Sequence, residues 1–229
     1  MLTLRRNLLL VWPVLVVLAG IPAYGGTVGV FFGNTPFGQQ ELILNGSTTL
    51  QATSTGWWDS TGGHFASNSN YGVGDGNTTP DHHDFFVFDL SNVLGPITSA
   101  QLSIGNPSNG FGDGSPAGTS SLSIWDVSTP ISTLIADGSG QIGIFNDLGS
   151  GTLFASRTVS AADDGTQVLI SLNSSGLAAL SAAEGGKFAV GGSLSVSSAP
   201  EPGSLVLLAS GLAGFLALAR RRCRLISNR

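Results

Sequence analysis

The residues of this chain best suited to chemistry lie in one short stretch that ends in two histidines and an aspartate. Five potential metal ligands occur there: Asp75, Asp81, His82, His83 and Asp84. Imidazole and carboxylate groups together suit zinc, whereas aspartates with loop carbonyls suit calcium. The spacing matches no established metal motif, and the later ligands of an EF-hand loop are missing. We therefore expect a polar loop entering a strand and no cofactor, with calcium the leading candidate for any ion in so acidic a body.

Three aromatic residues precede or flank this stretch and could stack on sugar rings if exposed: Trp57, Trp58 and Tyr71. Aromatic faces suit the apolar faces of sugars. Trp58 is the best candidate platform because its neighbours include Gly, Asp and Ser. The alternative, which a β-sandwich favours, is that these rings pack in the core.

Catalytic machinery is sparse between residues 26 and 198. A glycosidase usually needs two facing carboxylates, and this segment has only two Glu, at positions 41 and 184. It contains no Gly-x-Ser-x-Gly elbow and no cysteine, since Cys223 lies near the C-terminus. We predict no catalytic residues and interpret the chain as a non-enzyme.

The same segment is strongly acidic. Arg157 and Lys187 are its two cations, against thirteen acidic residues, which gives a net charge of −11. Such a body repels nucleic acid.

The length of 229 residues suits one domain plus targeting segments.

The C-terminal segment combines three features in a fixed order. Pro200, Glu201 and Pro202 form a stiff extended segment, because proline cannot continue a strand or helix. Residues 203–219 carry no charge, and their apolar run spans roughly 24 Å as a helix, close to the ~30 Å hydrocarbon core of a bilayer. Four arginines follow and favour the cytoplasmic side: Arg220, Arg221, Arg222 and Arg224.

This order of motif, apolar helix and basic cluster resembles the PEP-CTERM sorting signal of Gram-negative bacteria over residues 199–224. The resemblance implies recognition and cleavage by a membrane-integral exosortase, a transient inner-membrane precursor, and delivery to the outer surface alongside exopolysaccharide. The alternative is an ordinary single-pass anchor with a proline-rich stalk. Residues 225–229 would form a cytoplasmic tail.

Residues 1–25 have the features of a signal peptide. Arg5 and Arg6 precede an apolar run from Leu8 to Ala19, and Ala23 and Gly25 supply small residues before a cleavage site. We expect the Sec translocon and signal peptidase as partners; the alternative is an uncleaved membrane helix. Both basic ends then stay inside while the body folds beyond the inner membrane.

Residues 26–198 alternate apolar and polar residues in short runs separated by Gly-, Asp- and Asn-rich turns, which is typical of β-strands. The predicted runs are Val28–Phe32, Glu41–Leu44, Thr48–Ala52, Asp84–Leu90, Ala100–Ile104, Leu122–Val127, Ile142–Phe145, Leu153–Val159, Val168–Leu172 and Phe188–Val196. We predict an all-β, jelly-roll-like β-sandwich ectodomain. Stretches such as TGWWDSTGGHFASNSNYGVG also resemble uncharacterised ectodomains that precede this sorting signal, and the resemblance implies no activity.

Two segments depart from this pattern. One short helix is expected after a cap at Asn173 or Ser174, with Leu177 and Leu180 on one stripe and an end at Gly185 and Gly186. The segment 56–80 has little periodicity and is predicted to be a long loop or irregular edge.

Three functions are compatible with these observations. The first is an exported, structural surface or matrix protein associated with exopolysaccharide. The second is a carbohydrate-binding module for the exopolysaccharide that the cell itself makes. The third is a secreted hydrolase, for which the sequence supplies no catalytic motif.

Overall fold

The body folds almost entirely into antiparallel strands. The computed structural model describes residues 29–33, 40–75, 80–114 and 117–196. Its strands are β1 Gly29–Gly33, β2 Glu41–Leu44, β3 Thr48–Asp59, β4 Tyr71–Asp75, β5 His82–Asp89, β6 Ala100–Gly105, β7 Phe111–Asp113, β8 Thr119–Asp126, β9 Leu153–Ser160, β10 Gln167–Ser171 and β11 Lys187–Val196. Its helices are α1 Ile131–Leu134, α2 Ile142–Leu148 and α3 Ser174–Ala182, with a 3-10 turn at Ala161–Asp163. The all-β prediction is confirmed.

The two layers of the predicted sandwich belong to one continuous sheet, in the order β10-β6-β2-β3-β5-β11-β8-β9. The twelve-residue β3 joins them: residues 48–51 pair with β2, and residues 52–59 pair with β5. A register shift between Ala52 and Ser54 marks the transition. Bulges of this kind bend a strand, so one strand can contribute to both layers.

A second branch of the sheet closes one end of the body. β4 pairs with β5 at a single register position, Gly74 opposite His82. β1 then pairs with both β4 and β7. The branch brings Phe31, Tyr71 and Val73 over the main core.

The main core lies between the two layers. Each layer contributes alternating side chains to one buried cluster that includes Leu42, Leu102, Ile104, Phe86, Phe88, Leu122, Ile124, Val168 and Val190. The far ends of the sheet also meet, because the Arg157 guanidinium on β9 donates to the Leu169 carbonyl on β10 at 3.1 Å. Arg157 also pairs with Asp163 at 2.6 Å.

A smaller core lies on the opposite face of β5. Trp58, Phe85 and Val87 pack there against residues of α1 and α2 that include Leu134 and Leu148. The predicted strand at Ile142–Phe145 is therefore wrong, since these residues begin α2. The alternation of Ile142 to Phe145 imitates a strand, whereas the buried positions Ile144, Phe145 and Leu148 follow helical spacing.

The predicted helix is confirmed as α3. The Asn173 side-chain oxygen accepts hydrogen bonds from the Ser175 and Gly176 amides at 2.9 and 3.1 Å. Asparagine at this position satisfies amides that the first turn leaves unpaired. Gly176 lies against Phe154 and so seats the helix on β9.

The prediction of an irregular segment at 56–80 is wrong for two parts of it, since residues 56–59 end β3 and Tyr71–Asp75 form β4.

Several predicted segments lie outside the described residues. They are the signal peptide, the sorting segment with Pro200, Glu201 and Pro202, the arginine cluster and the cytoplasmic tail. Within the described ranges, no helix is long and apolar enough to cross a membrane.

Candidate functional site

The N-terminal half of β5 holds three of the predicted metal ligands, and strand alternation separates them. His83 shares a face with Phe85, whereas His82 and Asp84 point to the other side. The His83 ring stacks on Phe145 at 3.9 Å with an interplanar angle of 4°, and its Nδ1 lies 2.6 Å from the Phe145 carbonyl oxygen. Burial lowers the pKa of His83. This histidine therefore helps to attach α2 to the sheet.

Asp84 is fully buried in the main core. Neither of its carboxylate oxygens reaches a hydrogen-bond partner among the described residues. Burial raises the pKa of Asp84 to about 8, so the side chain is a neutral acid at pH 7. A protonated carboxyl is a poor metal ligand, because ligation requires its deprotonation.

The remaining predicted ligands do not complete a site. Asp81 is half-buried, and burial raises its pKa. Asp75 ends β4 and is exposed. In the part of the chain that the structure describes, no three His, Cys, Asp or Glu side chains are grouped so that they could hold a metal ion. The structure thus does not assemble the predicted ligand set at one point.

Trp58 is not the exposed platform that the sequence suggests. Its side chain is completely buried, and its indole N–H donates to the Leu134 carbonyl at 2.9 Å. The ring also stacks on His64, with centroids 5.0 Å apart. The polar turn at 59–63 that follows Trp58 accepts a hydrogen bond from the Gln141 amide, just before α2, through the Gly62 carbonyl. Polar sequence neighbours therefore do not make Trp58 exposed.

Tyr71 is likewise a core residue. Only 2% of it is exposed, and its hydroxyl donates to the Gly105 carbonyl at 2.9 Å. Its ring packs 5.8 Å from Phe31 and 5.7 Å from Phe86. Burial raises the pKa of Tyr71, and the nearby Asp84 raises it further.

Trp57 lines a surface pocket and is more exposed than Tyr71, the other candidate aromatic in the same lining. We call this the Trp57 pocket; it is lined by Val30, Phe32, Trp57, Asn70, Tyr71, Gly72, Val73, Gly74 and His82. Its volume is about 360 Å³, within the range of roughly 300–1,000 Å³ that is typical of small-ligand sites. Trp57 is half-buried, and Phe32 is 41% exposed.

A glycine separates the two aromatic side chains of the Trp57 pocket. A Cβ atom added to Gly72 would lie 3.6 Å from Trp57 Cδ1 and 4.0 Å from Phe32 Cβ. The slot between the rings therefore exists because position 72 has no side chain. Sequence reasoning missed Phe32, although the pair Phe31–Phe32 in β1 requires one ring inside and one outside.

His82 supports the Trp57 ring and adds polarity to the pocket. The two rings meet edge-on, with centroids 4.4 Å apart and planes at 86°. Burial lowers the pKa of His82, and it outweighs the opposing effects of Asp59, Asp81 and Asp75. The imidazole is therefore neutral at pH 7.

Comparison with protein families identifies the segment that follows the body. The PEP-CTERM protein-sorting motif matches residues 198–222, and β11 ends at Val196, just before this match begins. No curated protein and no solved structure matches the chain. An all-β body joined directly to such a motif defines an exported protein that is processed at the membrane.

The chain carries a PEP-CTERM sorting domain, as the sequence predicts. The motif indicates that the protein is targeted to exosortase.

Proposed function

We propose that this chain is a non-enzymatic protein of the cell surface or extracellular matrix, whose β-rich body is delivered by its C-terminal sorting domain. The observation that carries this proposal is the match at residues 198–222, directly after the last strand of the body. Exosortase recognises the Pro200-Glu201-Pro202 segment, and the arginines Arg220, Arg221, Arg222 and Arg224 hold the precursor in the inner membrane until it is processed.

The contacts of the described histidines support a non-enzymatic body. His64 Nδ1 lies 2.8 Å from the Trp57 carbonyl, and His83 Nδ1 lies 2.6 Å from the Phe145 carbonyl. His82 hydrogen-bonds to the backbone of Gly74. A hydrolytic base would instead contact a nucleophile or an orienting carboxylate.

Cell fractionation tests the delivery step. The protein is followed in cells with and without exosortase, together with two variants, Glu201→Ala and Glu184→Ala. Glu201→Ala, which changes the sorting motif, should accumulate in the inner membrane. Glu184→Ala, at an exposed position of the body, should leave the membrane like the native chain. Intact chain that stays in the inner membrane of exosortase-producing cells would contradict the proposal.

A second function, carbohydrate binding by the body, is favoured by the Trp57 pocket. Two partly exposed aromatic side chains there, Trp57 and Phe32, border a slot open to a flat ligand. Aromatic surfaces of this kind suit the apolar faces of sugars. Such a site would retain the released protein in exopolysaccharide. Cosedimentation of the full-length chain with exopolysaccharide from the producing cells tests this function, and loss of the protein to the supernatant would argue against it.

A further inference from the structure

We infer that the Trp57 pocket binds one uncharged sugar ring of a polysaccharide, stacked on Trp57, and excludes polymers of acidic sugars. This inference rests on the proposed carbohydrate-binding function and names its site and ligand class.

The Trp57 ring is held in place before any ligand arrives. Its backbone pairs with Asp84 across the β3–β5 ladder, and its carbonyl oxygen lies 2.8 Å from His64 Nδ1. The edge of His82 meets the ring at a centroid distance of 4.4 Å. Because His82 supports the ring and the paired strand and His64 hold its backbone, Trp57 loses little conformational entropy on binding, which favours affinity.

The slot has the shape and polarity that a sugar ring requires. Phe32 opposes Trp57 across Gly72, so a flat ligand can contact aromatic surface while lying over glycine. Asn70 at the rim and the neutral imidazole of His82 supply groups that can hydrogen-bond to hydroxyls. Sugar sites combine these two features, because a sugar ring has apolar faces and a polar edge.

The charges around the pocket decide between uncharged and acidic sugars. Among the described residues that line it there is no lysine or arginine. Three aspartates, Asp59, Asp81 and Asp75, act electrostatically on His82. Burial alone would raise the pKa of Asp59, but hydrogen bonds from Thr61 and Gly63 lower it, so that carboxylate stays charged.

The body has no cation to offer an acidic ligand at this site. Its two basic residues are Arg157, which is paired with Asp163 at 2.6 Å, and Lys187, which starts β11 opposite Asp89. A uronate or phosphate entering the pocket would thus be desolvated beside carboxylates without a counter-charge, which is unfavourable. The same argument excludes nucleotides, although a base could stack on Trp57.

Affinity gel electrophoresis of the full-length chain in detergent tests the inference. The gels contain either uncharged polymers (β-glucan, dextran, galactomannan) or polyuronates (alginate, polygalacturonate). The native chain should be retarded by at least one uncharged polymer and by neither polyuronate. Trp57→Ala should weaken that retardation about tenfold or more, the effect of losing roughly 1.4 kcal/mol of stacking.

Two further variants keep the result interpretable. Gly72→Ala places a methyl group in the slot at ordinary contact distances, so it should abolish retardation while the melting temperature stays unchanged. Phe65→Ala removes an aromatic side chain that is 65% exposed and outside the pocket, and it should bind like the native chain.

The outcomes separate the site from the function. Retardation by an uncharged polymer that survives both Trp57→Ala and Gly72→Ala would overturn the site while leaving carbohydrate binding intact. Preference for a polyuronate would overturn the ligand class. A native chain retarded by none of the polymers would overturn this inference, whereas the carbohydrate-binding function itself is overturned only if the chain also fails to cosediment with exopolysaccharide from the producing cells.

Discussion

His82 meets the indole of Trp57 edge-on, with 4.4 Å between the ring centres and 86° between the planes. The contact joins neighbouring strands, since Trp57 lies on β3 and His82 begins β5. It holds Trp57, the more accessible of the two adjacent tryptophans, in one orientation. The histidine that resembled a metal ligand in the sequence thus acts as the side support of an aromatic surface.

Replacing His82 should therefore weaken ligand binding more than folding. In His82→Ala the Trp57 ring loses its support and gains rotational freedom, so retention by an uncharged polysaccharide should fall several-fold while the melting temperature changes little. Affinity electrophoresis and circular dichroism measure the two effects. The matched control is His83→Ala, which removes the stack on Phe145 and should lower the melting temperature without changing retention. Equal effects of both variants on retention would argue against the support role.

The adjacent tryptophans should respond to alanine in opposite ways. Trp58 is fully buried and hydrogen-bonded to Leu134, so Trp58→Ala should destabilise the fold by about 3–5 kcal/mol through the cavity it leaves. Trp57→Ala should cost much less stability but should weaken polysaccharide retention about tenfold or more. Urea denaturation of both variants measures the difference. A larger loss of stability at Trp57 would contradict the burial pattern of β3.

Asp84 should make the fold less stable as the pH rises. Its pKa is 3.8 in an unfolded chain and about 8 in the folded one, so between these values the folded state binds more protons. The free energy of unfolding therefore falls as the pH rises through that window. The stabilisation that protonated Asp84 gives the folded state is fully present only below pH 3.8. Asp84→Asn should be more stable than the native chain at pH 7 and should match it near pH 4.

Urea denaturation from pH 4 to 8 tests this prediction by the difference between the two chains. The control is Asp89→Asn, at the exposed end of the same strand. Hydrogen bonds from Ser91 lower the pKa of the Asp89 carboxyl group. That variant should lose the small stabilisation which the native carboxylate has above pH 3.8. A constant difference between Asp84→Asn and the native chain at every pH would show that Asp84 is not buried as a neutral acid.

The strand content could be predicted from the sequence because most strands alternate apolar and polar residues. In β8, for example, Leu122 and Ile124 are buried, whereas the alternating Ser121 and Ser123 are only partly buried. The passage of β3 from one layer to the other could not be predicted, because it depends on the register shift at Ala52 and Ser54. Only pairing with β2 and β5 reveals that shift.

The candidate site was partly within reach of sequence reasoning. The sequence predicts Trp57 as a candidate, but telling it apart from the buried Trp58 requires knowing that α1 and α2 cover one face of β3 and β5. Phe32 comes to Trp57 through the β1–β4 ladder, a pairing between distant segments that local patterns do not contain. The separation of His82 from His83 follows from strand alternation alone and could have been predicted.

Mass spectrometry of the C-terminus tests the central claim most directly. Protein recovered from outside exosortase-producing cells should yield a last peptide that ends near Pro200 and should contain none of the arginines from Arg220 onward. A released protein whose C-terminal peptide still ends at Arg229 would contradict the account.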